Sequence, residues 1–300
     1  MSTDAVLREL LVRRLDHWLP AALHRARRAT LALAYAGGDA AGAEEALRVV
    51  AEFADRLRGR RLTVLVVADD GTDLPVRLGA AEAALPADVA VHLVPGGPDR
   101  LPVALKAAGA AGAPLLVVAD GADPDPALLA AAASGRPAEL LLVTAPGRSL
   151  RPALTDAGFP LVTEVELVPD GDGPARLLGY GTGSDHGLEA VKEALWAVDE
   201  YAGVRYRDPA DPQGRLLDIS LDPEPGPLRR ELLAELARSG PRTVTELRRF
   251  ATTSTVYRAA DVNRALTSLL ASGAVTRDPE HGRLGGDVTI SAVPTAGSSA

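Results

Sequence analysis

The sequence predicts a doubly wound α/β protein with a mostly parallel sheet of seven strands, followed by a winged helix-turn-helix domain. Five short apolar runs alternate with helical segments between residues 30 and 145, a pattern typical of parallel strands that helices cover on both faces. Two further strand-like runs flank the turn signal PDGDGP. The last part of the chain has the pattern of three helices and then a strand, a turn and a strand.

The N-terminal region is predicted to begin with a helix. Residues 4–28 place apolar side chains at helical spacing, and Pro20 is expected to kink this helix or to end its first part. Alanine-rich helical segments separate the strands that follow, and the right-handed crossover rule makes the sheet doubly wound. The parallel strands are predicted at residues 30–36, 62–68, 88–94, 114–120 and 138–145.

A predicted hairpin reverses the chain direction after the fifth strand. Its strands lie at residues 160–168 and 175–182, after the segment LTDAGF. Five parallel strands, a helix, the dipeptide GF and a β-hairpin together resemble the class I S-adenosylmethionine-dependent methyltransferases. This resemblance implies a Rossmann-like sheet of seven strands with an inverted terminal strand.

The sequence changes in character after the hairpin. Residues 184–224 are predicted to form a bridging helix, at 187–200, and a linker rich in proline, aspartate and glycine. The second helix of the winged helix-turn-helix has Thr243 or Thr245 as its expected cap. Residues 292–300 contain too little apolar surface to order themselves. The predicted organisation is therefore a Rossmann domain at 1–183, the bridge at 184–224, the winged helix at 225–291 and a disordered tail at 292–300.

Composition excludes several kinds of site. The chain contains no cysteine, which excludes disulfides, iron–sulfur clusters, thiolate zinc sites and a cysteine nucleophile. The five histidines are scattered without metal-ligand spacing, so no metal is expected. A charged N-terminus and the lack of an 18-residue apolar run predict neither a signal peptide nor a membrane span, and hence a cytoplasmic protein.

Charge is distributed unevenly along the chain. The whole chain has a formal net charge of −8, whereas residues 225–300 hold ten arginines and seven acidic residues, a net charge of +3. Nearly all basic residues of the chain are arginines, which is a compositional bias. The asymmetry predicts two units with different roles.

The segment at residues 181–208, GTGSDHGLEAVKEALWAVDEYAGVRYRD, is the most distinctive of the chain. It is similar to the pattern T-x-H, G-L-x-x-M-K-x-A-M-W, D, G-aromatic and D of the three-Cys-motif partner proteins, although Ser184 occupies the histidine position. The resemblance implies a methyltransferase-like Rossmann domain, a winged helix of the GMT-like type and a companion protein. The matching residues are Thr182, Gly187, Leu188, Lys192, Ala194, Trp196, Asp199, Gly203, Tyr206 and Asp208.

The side chains of this segment also have a simple packing interpretation. Trp196 is expected to pack on the Rossmann domain, and Lys192, one turn earlier, to extend outward to solvent.

The cofactor site that the methyltransferase resemblance implies is incomplete. Gly37, Gly38 and Gly42 follow the first strand, where glycines would let the backbone approach S-adenosylmethionine. Asp69 or Asp70, after the second strand, would bind the ribose hydroxyls. The third strand ends in PGG, which offers no side chain for the adenine. A plain strand-to-helix turn is therefore favoured over retained cofactor binding.

Asp120 ends the fourth predicted strand, where open α/β sheets bind ligands. By the same resemblance it is the candidate catalytic residue, because a carboxylate there would orient an amine nucleophile or accept its proton. A helix cap for the segment ADPDPALLAAAA is at least as well supported. The sequence has no N/D-P-P-Y tetrad.

The third helix and the wing of the C-terminal domain supply the candidate nucleic-acid contacts. Arginine and asparagine read guanine and adenine edges, and arginines of the wing would contact phosphates. A protein-binding or structural role remains the alternative. The candidates are Arg258, Asn263, Arg264, Thr267 and Ser268 on the helix, and Arg277 and Arg283 on the wing.

These observations predict a divergent, catalytically degraded methyltransferase-like protein that binds nucleic acid, DNA above all, or a partner protein through its winged helix. The alternative is an active S-adenosylmethionine-dependent methyltransferase that acts on nucleic acid or protein. S-adenosylmethionine is expected as a cofactor only in the second case.

Overall fold

The computed structural model describes residues 2–37, 40–69, 73–169, 171–202, 204–211, 213–217 and 226–293, with the backbone alone at 199–202. The chain divides into two compact units, Met1–Asp218 and Ile219–Ala300. No helix among these described residues is long and apolar enough to cross a membrane. Most of the predicted tail at 292–300 lies outside the described residues.

Nine strands of the described residues form the sheet of the first unit. They are Arg28–Tyr35 (β1), Arg61–Ala68 (β2), Val89–Pro95 (β3), Leu115–Asp120 (β4), Ala138–Thr144 (β5), Leu161–Pro169 (β6), Arg176–Thr182 (β7), Val204–Arg207 (β8) and Leu216–Leu217 (β9). Their order is β3-β2-β1-β4-β5-β7-β6-β8-β9. The first five strands are parallel, and the remaining strands pair antiparallel. The predicted α/β class with its large parallel sheet is confirmed, but the sheet has two strands more than the predicted seven.

The two additional strands come from the segment that the sequence analysis assigned to a linker. Val204 and Tyr206 are buried, whereas Arg205 between them is exposed, so β8 has the alternation of a half-buried strand. Its register places Arg207 opposite Glu166 of β6, and their side chains form an ion pair of 3.0 Å. Four alternating residues among prolines, aspartates and glycines are too short a pattern to identify a strand from sequence alone.

Helices cover both faces of the sheet. They are Thr3–Arg25 (α1), Ala41–Glu52 (α2), Ala54–Leu57 (α3), Leu74–Glu82 (α4), Leu101–Ala107 (α5), Pro126–Ala132 (α6), Arg151–Asp156 (α7) and Asp185–Ala202 (α8). On one face, α1 packs against α2 and α8. On the other, α5, α6 and α7 bury Leu105, Leu128 and Leu154 against alternate residues of the central strands.

The first helix is anchored to the sheet by a buried cluster of Arg14, Glu139 and Tyr180. The helix continues through Pro20 to Arg25, so the proline does not end it. Arg14 donates to Glu139 through Nη2 and, at 2.9 Å, through Nε, and the Tyr180 hydroxyl donates to the same carboxylate at 2.7 Å. Burial and the neighbouring Glu139 raise the pKa of Tyr180 well above its usual value.

The distinctive segment at 181–208 attaches α8 to the reversed edge of the sheet. A Cβ on Gly187 would lie 3.1 Å from the Tyr180 hydroxyl and 3.3 Å from Thr182 Oγ1, so the glycine permits a close approach of helix and strand. The Tyr206 hydroxyl donates to the backbone oxygen of Leu195 at 2.7 Å.

The two side chains of α8 whose positions were predicted, Trp196 and Lys192, are both almost completely buried. Trp196 packs in the interior as predicted. Lys192 is only 1% exposed, so the expectation that it extends to solvent is wrong. Burial also raises the pKa of Asp208, while the charge of Lys192 acts in the opposite direction. Of the other matching residues, Gly203 and the Asp199 side chain lie outside the described part of the chain.

The described part of the second unit, residues 226–293, contains three helices and a small sheet. Its elements are Gly226–Ser239 (α9), Arg242–Thr243 (β10), Val244–Ser254 (α10), Ala259–Ala271 (α11), Val275–Asp278 (β11) and Thr289–Ala292 (β12). The sheet has the antiparallel order β10-β12-β11, and Leu232, Leu247, Leu266 and Ile290 are fully buried.

A capping box starts α10. Thr243 Oγ1 accepts from the Glu246 amide at 3.2 Å, and Glu246 accepts from the Thr243 amide at 2.8 Å. Thr243, and not Thr245, is therefore the cap. The Thr243 amide and hydroxyl lower the pKa of Glu246.

Candidate functional site

A cavity of about 300 Å³ lies at the carboxyl ends of β1, β4 and β5. The order of the sheet reverses between β1 and β4, which is where open α/β sheets bind ligands. The N-terminal half of α1 forms one wall, and the first residue of β7 completes the rim. The lining residues are Asp4, Leu7, Arg8, Leu11, Tyr35, Ala36, Gly37, Gly42, Val118, Asp120, Leu141, Val143 and Arg176.

Backbone conformation explains one glycine near the cavity, and contacts within the chain explain two others. Gly37 has a φ of +99°, in the region that favours glycine, and a Cβ added to it would meet no atom within 4 Å. A Cβ on Gly42 would lie only 2.7 Å from the Tyr35 hydroxyl oxygen. A Cβ on Gly121 would lie 3.0 Å from the Cβ of Ala36. Gly42 and Gly121 thus let the chain pack against itself.

Charged side chains form the cavity rim, which consists of Asp4, Arg8, Asp120 and Arg176. Arg176 Nη2 lies 3.2 Å from Asp120 Oδ1 and 3.5 Å from Asp4 Oδ1. The side chains of Arg176 and Asp120 are 25% and 24% exposed, so both remain partly hydrated. The rim joins α1, β4 and β7 at one end of the sheet.

Asp120 is therefore an ion-paired residue of the cavity and does not cap the following helix. The cap of α6 is Asp125, which accepts from the amides of Ala127 and Leu128 at 2.8 and 3.1 Å. The helix-cap alternative considered for Asp120 is wrong for this reason.

Among the described residues, the cavity includes three of those predicted to act in methyl transfer. Gly37, Gly42 and Asp120 line it, whereas Asp69 is exposed at the end of β2 and is not among the lining residues. Gly38 and Asp70 lie outside the described residues. At the end of β3, the Gly96 amide donates to the Ala68 carbonyl at 3.0 Å, a contact between neighbouring strand ends.

Sequence reasoning missed Asp4, Arg8 and Arg176. Asp4 and Arg8 lie one turn apart on a helix whose apolar pattern indicated only packing, and Arg176 starts a strand of the reversed hairpin. None belongs to a motif. Their shared location follows from the antiparallel direction of β7, which brings its first residue to the carboxyl edge of β5.

In the second unit, two of the predicted nucleic-acid contacts are used within the fold. Arg258 is buried, and its Nε and Nη2 donate to Asp261 at 3.1 and 3.0 Å. The guanidinium of Arg277 donates to the carbonyls of Pro279 and Gly282 at 2.9 Å, so it holds the turn between β11 and β12 together.

The remaining candidates lie on the surface of α11 and of that turn. Arg264, Thr267 and Arg283 are exposed. Asn263 is half-buried and accepts from Arg248 at 3.0 Å, and Ser268 accepts from Arg229 at 2.6 Å. The accessible set is thus Arg264 and Thr267 on the helix, with Arg283 on the turn.

No group of three histidine, cysteine, aspartate or glutamate side chains in the described part of the chain is arranged to hold a metal ion. No protein-family model matches the chain, and no curated protein matches it. The resemblance to the three-Cys-motif partner proteins therefore remains a prediction from the segment at 181–208.

Proposed function

We propose that this chain is a methyltransferase-like protein that does not transfer methyl groups and that binds DNA or a partner protein through a C-terminal winged helix-turn-helix. The observation that carries the proposal is the ion pair between Asp120 and Arg176 at the switch point of the sheet. A base or an orienting group for an amine nucleophile must be available to the substrate. Here Asp120 is ion-paired with Arg176, which also neighbours Asp4, so its carboxylate can accept further hydrogen bonds but is not a free base.

The surroundings of Asp120 support the loss of the cofactor. The close approach of the Tyr35 hydroxyl accounts for the glycine at position 42 without a cofactor. Asp69, the described candidate for the ribose, is not part of the cavity. The end of β3 offers Gly96 and Gly97 where an adenine would need a polar side chain.

The second unit supports a binding role. Its helices and antiparallel strands follow the order of a winged helix-turn-helix, with α11 as the recognition helix and the turn between β11 and β12 as the wing. Arg264 and Thr267 are accessible on that helix, and Arg283 is accessible on the wing. The net charge of +3 over residues 225–300 favours an anionic partner.

Calorimetric titration with S-adenosylmethionine tests the loss of catalysis. We expect no binding at micromolar cofactor. Micromolar binding that is abolished in Gly37→Arg would favour the active methyltransferase instead. Gly59→Arg is the matched control, because Gly59 also has a positive φ, of +71°, and open space at its Cβ but is not part of the cavity.

Fluorescence anisotropy with labelled duplex DNA tests the winged helix. We expect the full chain to bind with an affinity that falls as salt increases, and Arg264→Ala or Arg283→Ala to lower the salt slope by about 1 each if the residue contacts a phosphate. Arg238→Ala is the control, since this exposed arginine of α9 pairs with Glu235. Salt-independent binding, or no binding, would favour a partner protein over DNA.

A further inference from the structure

We propose that the cavity binds a small zwitterion with an apolar side chain, of the chemical class of the aliphatic α-amino acids. Because this assigns to the cavity an occupant other than S-adenosylmethionine, it rests on the proposed function. Three features carry it: the size of the cavity, its apolar floor and the opposite charges of the rim.

The size and the floor select a compact ligand with an apolar part. A cavity of about 300 Å³ is at the lower end of the range of small-molecule sites, roughly 300–1,000 Å³. Leu7 and Leu11 of α1 face Val118, Leu141 and Val143 of the sheet across it. A branched aliphatic side chain would replace water against this surface, which is the main source of affinity in apolar sites.

The charges of the rim select a zwitterion. Among the described lining residues, two carboxylates, Asp4 and Asp120, and two guanidinium groups, Arg8 and Arg176, sum to zero charge. A ligand with one charge would add a net charge to this partly desolvated group of side chains, which is unfavourable. A ligand that carries an ammonium and a carboxylate on one carbon keeps the sum at zero and gives each of its charges an opposite partner.

Arg176 has donors left for a ligand carboxylate. Guanidinium has five N–H donors, and the ion pairs with Asp4 and Asp120 use Nη2 alone. Its Nε is buried and has no hydrogen-bond partner among the described residues. A buried donor without an acceptor is costly, so a ligand carboxylate that accepts from this guanidinium would be stabilised.

The two aspartates can accept from a ligand ammonium. An ionised carboxylate offers about four acceptor positions, and the Asp4 side chain, which is 59% exposed, contacts Arg176 only at 3.5 Å. Asp120 lies deeper, next to Val118 and Val143. An ammonium between the two carboxylates would place the apolar side chain toward the floor.

Isothermal titration of the full chain with L-leucine tests the proposal. We expect saturable binding of leucine and none, at the same concentrations, of 4-methylpentanoic acid, which lacks the ammonium, or of 3-methylbutylamine, which lacks the carboxylate. L-Aspartate, whose side chain does not suit the apolar floor, is expected to bind at least about tenfold more weakly. Equal binding of leucine and of either singly charged analogue would overturn the zwitterion.

Variants at the rim locate the binding. Asp120→Asn, which preserves shape, and Arg176→Met are each expected to weaken leucine binding at least about tenfold, because each removes a charged hydrogen-bond partner. Arg207→Met is the matched control, since Arg207 forms a half-buried ion pair with Glu166 on β6, away from the cavity. If leucine does not bind, or binds equally to all three variants, the proposal is overturned.

The failure of this inference and that of the proposed function are distinguishable in the same calorimeter. Binding of S-adenosylmethionine at micromolar concentration overturns the proposed function, whatever leucine does. Absence of leucine binding in a chain that also fails to bind S-adenosylmethionine overturns the zwitterion alone.

Discussion

Two clusters of charged side chains connect α1 to the sheet, and they differ in burial and in how fully their hydrogen bonds are satisfied. In the buried cluster, Arg14 and Glu139 are 5% and 6% exposed, and Tyr180 adds a second donor to the carboxylate. In the cavity rim, Arg176 and Asp120 are 25% and 24% exposed, and the Arg176 Nε has no partner among the described residues. Ion pairs between arginine and carboxylate thus hold α1 on the sheet in the buried cluster. In the cavity rim, they leave a guanidinium donor for a ligand.

The difference follows from the sheet. Glu139 and Tyr180 are interior positions of paired strands, where unpaired charge is excluded. Arg176 and Asp120 lie at strand ends, where the backbone ladder stops and solvent enters. Burial of charge therefore gives structural specificity in the buried cluster, whereas partial exposure permits recognition at the rim.

The largest expected effect on the free energy of unfolding comes from disrupting the buried cluster. Glu139→Ala leaves the Arg14 guanidinium buried without a counter-charge, and we expect the free energy of unfolding to fall by about 3–5 kcal/mol. Urea denaturation followed by circular dichroism measures it. Glu9→Ala is the control, because its ion pair with Arg13 is about 40% exposed on both sides and should contribute less than about 1 kcal/mol. Similar losses in the two variants would contradict the assigned difference.

A smaller effect is expected at the wall of the cavity. Gly42→Ala places a Cβ 2.7 Å from the Tyr35 hydroxyl oxygen, and overpacking of this kind lowers the free energy of unfolding by about 1–3 kcal/mol. Gly79→Ala in α4, where a Cβ meets nothing within 4 Å, should instead stabilise the protein by up to about 1 kcal/mol.

A second change at the same wall separates the contact from a general intolerance of Gly42. Adding Tyr35→Phe to Gly42→Ala removes the hydroxyl that the new methyl group would meet, so part of the lost stability should return in thermal denaturation. If the double variant is no more stable than Gly42→Ala alone, the assigned contact is not the cause.

The rim itself should contribute little to stability. Asp120→Asn is expected to change the free energy of unfolding by less than about 1 kcal/mol, because the pair with Arg176 remains partly hydrated. Glu139→Gln makes the same chemical change in the buried cluster and should cost more in the same denaturation experiment. If Asp120→Asn proves the more destabilising of the two, the rim is structural and the comparison between the clusters is reversed.

The smallest effect on stability is expected at the capping box of α10, where Glu246 lies on the surface. The Thr243 amide and hydroxyl lower the pKa of Glu246 in the folded state. This contribution to stability is therefore present above the pKa of the unfolded chain and is lost as the pH falls through the lower, folded value. Glu246→Gln should flatten the acid limb of the stability profile, measured as the thermal midpoint against pH, and an unchanged limb would contradict the assignment.

Local patterns were sufficient for most elements of both units. Strands such as β4, with its continuous apolar run up to Asp120, were predicted because burial on both faces leaves a signal in consecutive residues. The cap at Thr243 was predicted because capping involves residues three apart. Three features were not predicted: the strands β8 and β9, the burial of Lys192 and the ion pair of Asp120. Each of them depends on contacts with residues that are distant in the sequence.

The sequence by itself determined the order of helices and strands, the reversed hairpin and the concentration of arginine near the C-terminus. Only the tertiary structure decided which charges meet: Arg176 and Asp120 are 56 residues apart, and Arg14 and Glu139 are 125 apart. Secondary structure follows from periodicities of two to four residues, which the sequence displays directly. The pairing of charges follows from the order and direction of strands and from the path of α1 across the sheet, and no local pattern records these.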